Sequence, residues 1–340
     1  CHAFQFPKEL MQNEEEAYYG RIKNNEKVLT YSSSGGIYYL LAKKIIDNGG
    51  ITYGAVLDEE KWEVIHMSNE ESSLKAQMKS KYVQSSTYKS FEKVNEDLKQ
   101  NKKVLFCGTP CQVAGLKKLI GENENLITVD FICHGVPSPQ ILKDKISNME
   151  KRYNSKVKNI YFRSKYGNWS TQKMLIEFEN KKVYLMDANN DDYFKLFLNN
   201  YTLRKSCYHC QYSNQKHLAD ITLADYWGVK KYSPEENDEK GLSLILINSK
   251  KGKDLINNIS SQIDMKPLSL DKARYVYKKH DNYKEDKRNE FFAEYINNGY
   301  ASAMKKMKIK SNIVTKLENA LRKSKYKKIA KQIEKNGGIK

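Results

Sequence analysis

Two short apolar runs, Lys103-Val104-Leu105-Phe106 and Leu126-Ile127-Thr128-Val129-Asp130-Phe131-Ile132, flank a helical pattern through Cys111–Ile120 that opens on Gly108-Thr109-Pro110. A strand, a helix and a strand in that order make a βαβ unit, and its two strands must run parallel. This constrains the chain more than any other feature. It requires an α/β fold with a partly parallel sheet, and it puts ligands beyond the carboxyl ends of the strands.

Other segments extend the pattern. Ser32-Ser33-Ser34-Gly35-Gly36 opens an apolar periodic helix, Ile37 to Ile46, closed by Asn48-Gly49-Gly50 and followed by a strand at Ile51–Leu57. A strand at Trp62–Met67, a polar helix from Ser72 to Lys79 and a longer helix at Ser90–Gln100 come next. Asn159–Arg163, Met174–Glu179 and Val183–Met186 read as an antiparallel insertion, and Asp191–Asn199 as a helix. Residues 219–228 and 242–248 offer two more strands, after which the chain turns helical and charged. We expect a mixed α/β (α+β) fold in three parts: a connecting segment at 1–30, a cofactor-binding domain at 31–268 and a helical, basic region at 269–340.

Six cysteines in a chain of 340 residues with no apolar stretch near ~20 residues and no signal peptide argue for a cytoplasmic protein with metal or redox chemistry. Cys111 follows one parallel strand at the first turn of the next helix, where the positive helix end favours a thiolate. Cys133 follows the next strand, so both fall on one edge of the sheet. Cys207-Tyr208-His209-Cys210 supplies a C-x-x-C pair. Four thiolates in this arrangement suit a 4Fe–4S cluster or a structural zinc; one pair and two single ligands favour the cluster. Cys107 reads as a small buried apolar residue. His134 and His209 read as neighbours of the ligands, and His66 and His280 belong to no constellation.

Ser33-Ser34-Gly35-Gly36 before a helix is a candidate phosphate or flavin cradle, because small side chains let backbone amides approach a ligand. Neither a G-x-G-x-x-G nor a Walker A sequence is present. Of the net charge of +18, +11 falls in residues 301–340, which hold 13 Lys/Arg against 2 Glu. Such a tail is either a solvated helical face or an attractor of nucleic acid, anionic lipid or an acidic protein. No nucleic-acid-binding motif accompanies it, so no nucleic-acid partner is expected.

The chain resembles the β subunit family of coenzyme F-420-reducing hydrogenases and formate dehydrogenases from Ser32 to Asn248. The motifs that carry the resemblance are S-S-S-G-G-I at Ser32–Ile37, S-K-Y-V-Q-S at Ser80–Ser85, G-T-P-C-Q-V-A-G-L at Gly108–Leu116, D-F-I-C-H-G-V-P-S-P at Asp130–Pro139, L-R-K-S-C-Y-H-C at Leu203–Cys210 and A-D-I-T-L-A-D-Y-W-G at Ala219–Gly228. The resemblance implies a 4Fe–4S cluster on Cys111, Cys133, Cys207 and Cys210, and a flavin, FAD or FMN. It places the flavin against Ser33, Ser34, Gly35, Gly36, Lys81 and Tyr82, with Thr109 and Gln112 of the cysteine motif. Relatives often carry an N-terminal ferredoxin-like domain; the chain begins at Cys1 rather than Met, and we expect such a domain upstream, with Cys1 as its last ligand.

The expected function is electron transfer between a ferredoxin-type donor or fused ferredoxin-like domain, the cluster, the flavin and a small organic acceptor, coenzyme F-420-like in the family. Lys81 would offset negative charge on reduced flavin, and Asp220 or Asp225 would relay protons. A homo-oligomer is compatible with this reading. The alternatives are a non-catalytic electron-transfer subunit of a larger redox complex and a zinc-stabilised binding module.

Overall fold

The computed structural model describes residues 15–212, 217–276, 285–307 and 313–336. Cys1 and His280 lie outside the described residues. The chain enters as β1 (Glu16–Ile22), α1 (Glu26–Tyr31), α2 (Ile37–Asp47), β2 (Ile51–Asp58), β3 (Glu63–Ser68), α3 (Leu74–Gln77), β4 (Ser85–Ser86) and α4 (Tyr88–Lys99). Then come β5 (Val104–Cys107), α5 (Pro110–Ile120), β6 (Leu126–Phe131) and α6 (Pro139–Tyr153). A three-strand insertion follows: β7 (Val157–Tyr161), β8 (Lys173–Phe178) and β9 (Val183–Asp187), with α7 (Asp192–Leu198) after it. The chain returns through β10 (Ile221–Asp225), α8 (Val229–Tyr232), β11 (Ser243–Ile247), α9 (Lys250–Asn257) and β12 (Ile263–Leu268). It closes with α10 (Leu270–Val276), α11 (Glu285–Lys306) and α12 (Ile313–Lys335).

The main sheet has nine strands in the order β12-β1-β11-β10-β6-β5-β2-β3-β4. Its centre is parallel: β2 pairs with β5, β5 with β6 and β6 with β10. Side-chain alternation along these strands feeds two cores. Leu105, Ile127 and Val129 meet Leu40, Leu41 and Ile45 of α2 on one face. Val104, Phe106 and Leu126 meet Val94, Val113 and Leu116 of α4 and α5 on the other. A parallel sheet buried on both sides is why these strands read as nearly continuous apolar runs.

Of the segment read as an irregular connection at 1–30, residues 15–30 are described, and they carry regular elements, β1 and most of α1. β1 is an inner strand, antiparallel to both β11 and β12. A Cβ on Gly20 would lie 2.3 Å from the Asp264 carbonyl oxygen, so only glycine allows β12 to come so close. α3 is shorter than the helix expected from Ser72 to Lys79. α6, which we did not single out, carries evident signals: Ser138 caps it, Pro139 stands at its first turn, and Ile141, Leu142, Ile146 and Met149 form its buried stripe.

The small sheet is antiparallel in the order β7-β8-β9, as its sequence suggested. One face packs on α6 and α7. On the other, Leu175, Val183 and Leu185 receive Tyr326, Ala330 and Ile333 of α12. Among the described residues, no helix is long and apolar enough to cross a membrane.

Candidate functional site

The carboxyl ends of β5 and β6 face the loop that carries the C-x-x-C pair. Cys111 is exposed at the start of α5, where Thr109 Oγ1 lies 3.2 Å from its sulfur. Cys133 begins the loop after β6. That loop is fastened to the C-x-x-C segment by a bridge between Pro137 and Leu203 and by Arg204 N–H donating to Val136 O at 2.8 Å. The turn at Lys205–Cys207 then delivers the second pair. α11 holds this loop from outside: Glu285 accepts from His209 at 3.2 Å and pairs with Lys205 at 3.6 Å, while Arg288 Nε donates to Leu203 O.

The four sulfurs are electrostatic neighbours. Burial pushes the Cys133 thiol well above its ordinary range, and neighbouring Cys111, Cys207 and Cys210 push it further, against a backbone hydrogen bond at Gly135. Cys207 is pushed up to about 11, mainly by burial, with Cys210 and Cys111 contributing and the Val136 backbone and Arg204 opposing. The Cys133 and Cys207 thiols are thus raised further by the negative charge that neighbouring thiolates would carry, a repulsion that a cationic metal centre would relieve. The donor set is sulfur alone and fits an iron–sulfur cluster. Among the described residues, no three His, Cys, Asp or Glu side chains converge tightly enough to hold a single metal ion. Cys107 stands apart: burial and Asp130 push its thiol up to about 12, with Lys81 opposing.

The serine–glycine turn is more committed than its sequence suggests. Gly35 N–H donates to Ser243 Oγ at 2.9 Å, and a Cβ there would lie 2.4 Å from Gly20 O, so this glycine serves packing of the turn on β1 and β11. Gly36 has a φ of +80° and starts α2. Ser34 Oγ donates to Leu242 O, and Ser33 Oγ accepts from Ser80 N–H at 2.8 Å, which brings Lys81 and Tyr82 beside the turn. Lys81 Nζ donates to Ala76 O and Met78 O, each at 2.6 Å, and burial lowers its pKa to about 7. Tyr82 packs 5.4 Å from Phe197, whose ring meets His134 at 4.9 Å, so three rings span from the turn to the residue after Cys133.

Thr109 and Gln112 are spent on local structure. Gln112 Oε1 accepts from Thr109 N–H and Oγ1, and Gln112 Nε2 donates to Ser85 Oγ, a cap and a tie to β4. Asp220 is fully buried within the sheet. Its carboxylate accepts from Thr128 N–H, Thr128 Oγ1 and Ser249 Oγ, each at 2.7 Å, so it clamps β6, β10 and the cap of α9. Asp225, at the carboxyl end of β10, does reach the edge, where Arg163 Nη2 donates to it at 3.3 Å.

The sequence reading missed several neighbours of this turn. Trp169 Nε1 donates to Ser33 O at 3.1 Å, and Lys165 Nζ to Ser34 O at 2.7 Å. Trp227 stacks on Trp169 at 5.1 Å. The signal was the Arg163-Ser164-Lys165 triplet just after a buried strand, which looks like any surface charge pair until the fold buries it.

Fold and site together define a class: an α/β protein whose ligand edge joins four thiols to a cation-rich turn. The chain belongs to the coenzyme F420 hydrogenase/dehydrogenase beta subunit family; the model of that family's C-terminal region matches residues 101–271, half of the chain and the stretch containing all four cysteines. Its function is accordingly of the redox type of a hydrogenase or dehydrogenase subunit. Among solved structures, a chain of the F420-reducing [NiFe] hydrogenase complex from Methanosarcina barkeri shares the fold, with a TM-score of 0.52 and 16% identity over 84% of this chain and 92% of that one. None of the curated proteins compared with the chain matches it.

Proposed function

We propose that the protein is an iron–sulfur flavoprotein oxidoreductase, cytoplasmic, which passes electrons between a ferredoxin-type donor and a small organic acceptor. The observation that carries this is the placement of Cys111, Cys133, Cys207 and Cys210 at the carboxyl edge of the sheet, where the other three raise the buried Cys133 thiol. These four would hold a 4Fe–4S cluster, and the Ser33–Gly36 turn with Lys81 and Tyr82 would hold FAD or FMN. A flavin beside a cluster supplies the exchange between single electrons and the two-electron chemistry of an organic acceptor.

The chain's own residues position and insulate that chemistry. Arg204 and the helix start at Cys111 supply positive charge beside the thiolates. Lys81, with a pKa near 7, can hold or release a proton at Nζ close to the turn. The packed rings of Tyr82 and Phe197 place apolar surface between the two regions. By analogy with the Methanosarcina barkeri complex, the chain would work beside partner subunits or a ferredoxin-like domain.

The test is the iron, sulfide and flavin content of anaerobically purified protein. Cys133→Ser should lose iron, while Cys107→Ser should keep it. Full iron in Cys133→Ser, or one zinc per colourless chain, would replace this reading.

A further inference from the structure

Behind the serine–glycine turn the structure gathers more positive charge than it neutralises. Lys165 Nζ donates to Leu29 O, Ser34 O and Lys240 O at 2.6–2.7 Å and pairs with no carboxylate among the described residues. Lys79 Nζ lies 4.3 Å above the rings of both Tyr31 and Tyr161 and likewise has no carboxylate partner among the described residues. Arg163 is 1% exposed. Its Nη1 donates to Trp169 O and its Nη2 to Asp225, but its Nε finds no partner among the described residues.

The three cations are electrostatic neighbours. Burial lowers the Lys165 pKa to about 7, with Asp225 opposing and Arg163, Lys79 and Arg21 adding to the fall. Burial likewise lowers Lys79 to about 8, with Lys75 adding and Glu177 opposing. Arg21 is itself paired with Asp238. Two carboxylates, Asp225 and Glu177, therefore stand against Lys75, Lys79, Arg163 and Lys165. Desolvated cations without counter-charge are costly, and an orphaned N–H on a buried guanidinium adds to that cost. A bound anion relieves both.

The charges match a phosphate: Lys165, its three N–H bonds taken by carbonyls, and Lys79 act as point charges, and the unpartnered Arg163 Nε supplies a directed donor. Trp227, 41% exposed, lies with its ring 4.8 Å from Arg163 Cζ and offers a flat face to a base or ring attached to that phosphate. We propose that Lys79, Arg163 and Lys165 form a phosphoanion subsite beside Ser34, which takes the phosphate-bearing end of a ligand whose ring lies toward Lys81. The phosphate is either the flavin's own, in which case the inference rests on the flavin reading above, or that of a separate phosphorylated acceptor.

Two variants test the subsite in the full-length protein. Lys165→Gln keeps a donor for the carbonyls without the charge, and Lys79→Met keeps an apolar stem on the two tyrosine rings. Folding is checked by circular dichroism and Tm, and the second variant stands if the first fails to fold. Riboflavin, FMN and FAD are titrated by flavin fluorescence, and inorganic pyrophosphate by calorimetry. We expect each variant to bind FMN, FAD and pyrophosphate about ten- to a hundredfold more weakly, with riboflavin unchanged. Weakened pyrophosphate with all three flavins unchanged keeps the subsite and assigns it to a separate phosphorylated ligand. Pyrophosphate binding that depends on Lys165 in a protein that binds no flavin also keeps the subsite, and ends the flavin reading instead. Wild type and variants that bind every phosphate probe equally, or a wild type that binds none, overturn it.

Discussion

Cys207 Cβ lies 3.4 Å from the point where a side chain on Gly135 would begin, and Leu203 Cδ1 is closer still at 2.9 Å. The two cysteine-bearing loops touch through that missing side chain, at a φ of +132° that other residues rarely adopt. Gly135→Ala should therefore cost about 1–3 kcal/mol in backbone strain and spread the ligand loops. The expected outcome is lower iron per chain with the far-ultraviolet dichroism preserved. Gly121→Ala, also at positive φ but with open space around it, should leave iron content unchanged.

His66 gives the fold an acid sensitivity. It is buried against Phe106, its Nε2 donates to Cys107 O over 2.9 Å, and burial lowers its pKa from 6.5 to about 4. The unfolded chain takes up the proton at higher pH than the folded one. Stability is thus full above pH 6.5 and falls between pH 6.5 and 4, by about 3 kcal/mol. Urea midpoints across that range should slope for the wild type and flatten at this step for His66→Phe.

The two aspartates proposed as proton relays should separate cleanly. Asp220→Ala removes a buried acceptor of three hydrogen bonds and should lower stability by about 3 kcal/mol, leaving turnover per folded, flavin-loaded chain unchanged. Asp225→Asn removes the counter-charge of Arg163 at the ligand edge. It should shift the pH profile or the flavin potential, and lower Tm as well, because a buried guanidinium loses its counter-charge. A shifted pH profile in Asp220→Ala would return that residue to the reaction.

The basic C-terminus is partly structural. Deleting α12 would strip Tyr326, Ala330 and Ile333 from the small sheet, so truncation cannot isolate the effect of charge. Lys328, Lys331 and Lys335 are exposed and available for charge reversal. If an acidic electron donor docks there, changing all three to Glu should slow reduction at low salt and erase most of the salt dependence, since screening shortens from ~10 Å at 0.1 M to ~3 Å at 1 M. Equal salt curves for both proteins would remove α12 from donor docking.

The parallel centre was legible because Val104–Phe106 and Leu126–Asp130 are buried on both faces and so spell out nearly continuous apolar runs. Strand ends could then be read as ligand positions, which is how Cys111 and Cys133 came together on paper. β1 was not legible. Its sequence, Glu-Ala-Tyr-Tyr-Gly-Arg-Ile, has a polar start, a glycine demanded by its neighbour and an arginine paired across space to Asp238. Lys165 and Arg163 were hidden for a different reason. A lysine's type is that of a solvent-facing residue, and only tertiary structure supplies the carbonyls of Leu29, Ser34 and Lys240 that hold this one inside.

The position of β1 also bears on synthesis. A ribosome releases this strand before any other in the sheet, yet its two partners, β11 and β12, are among the last strands to emerge. The parallel centre can assemble while the chain is still growing, but Tyr19 and Ile22 stay uncovered until translation has passed residue 268. A bare edge of this kind invites pairing with other nascent chains, and moving residues 15–31 behind β12 by circular permutation would shorten the time it stands open.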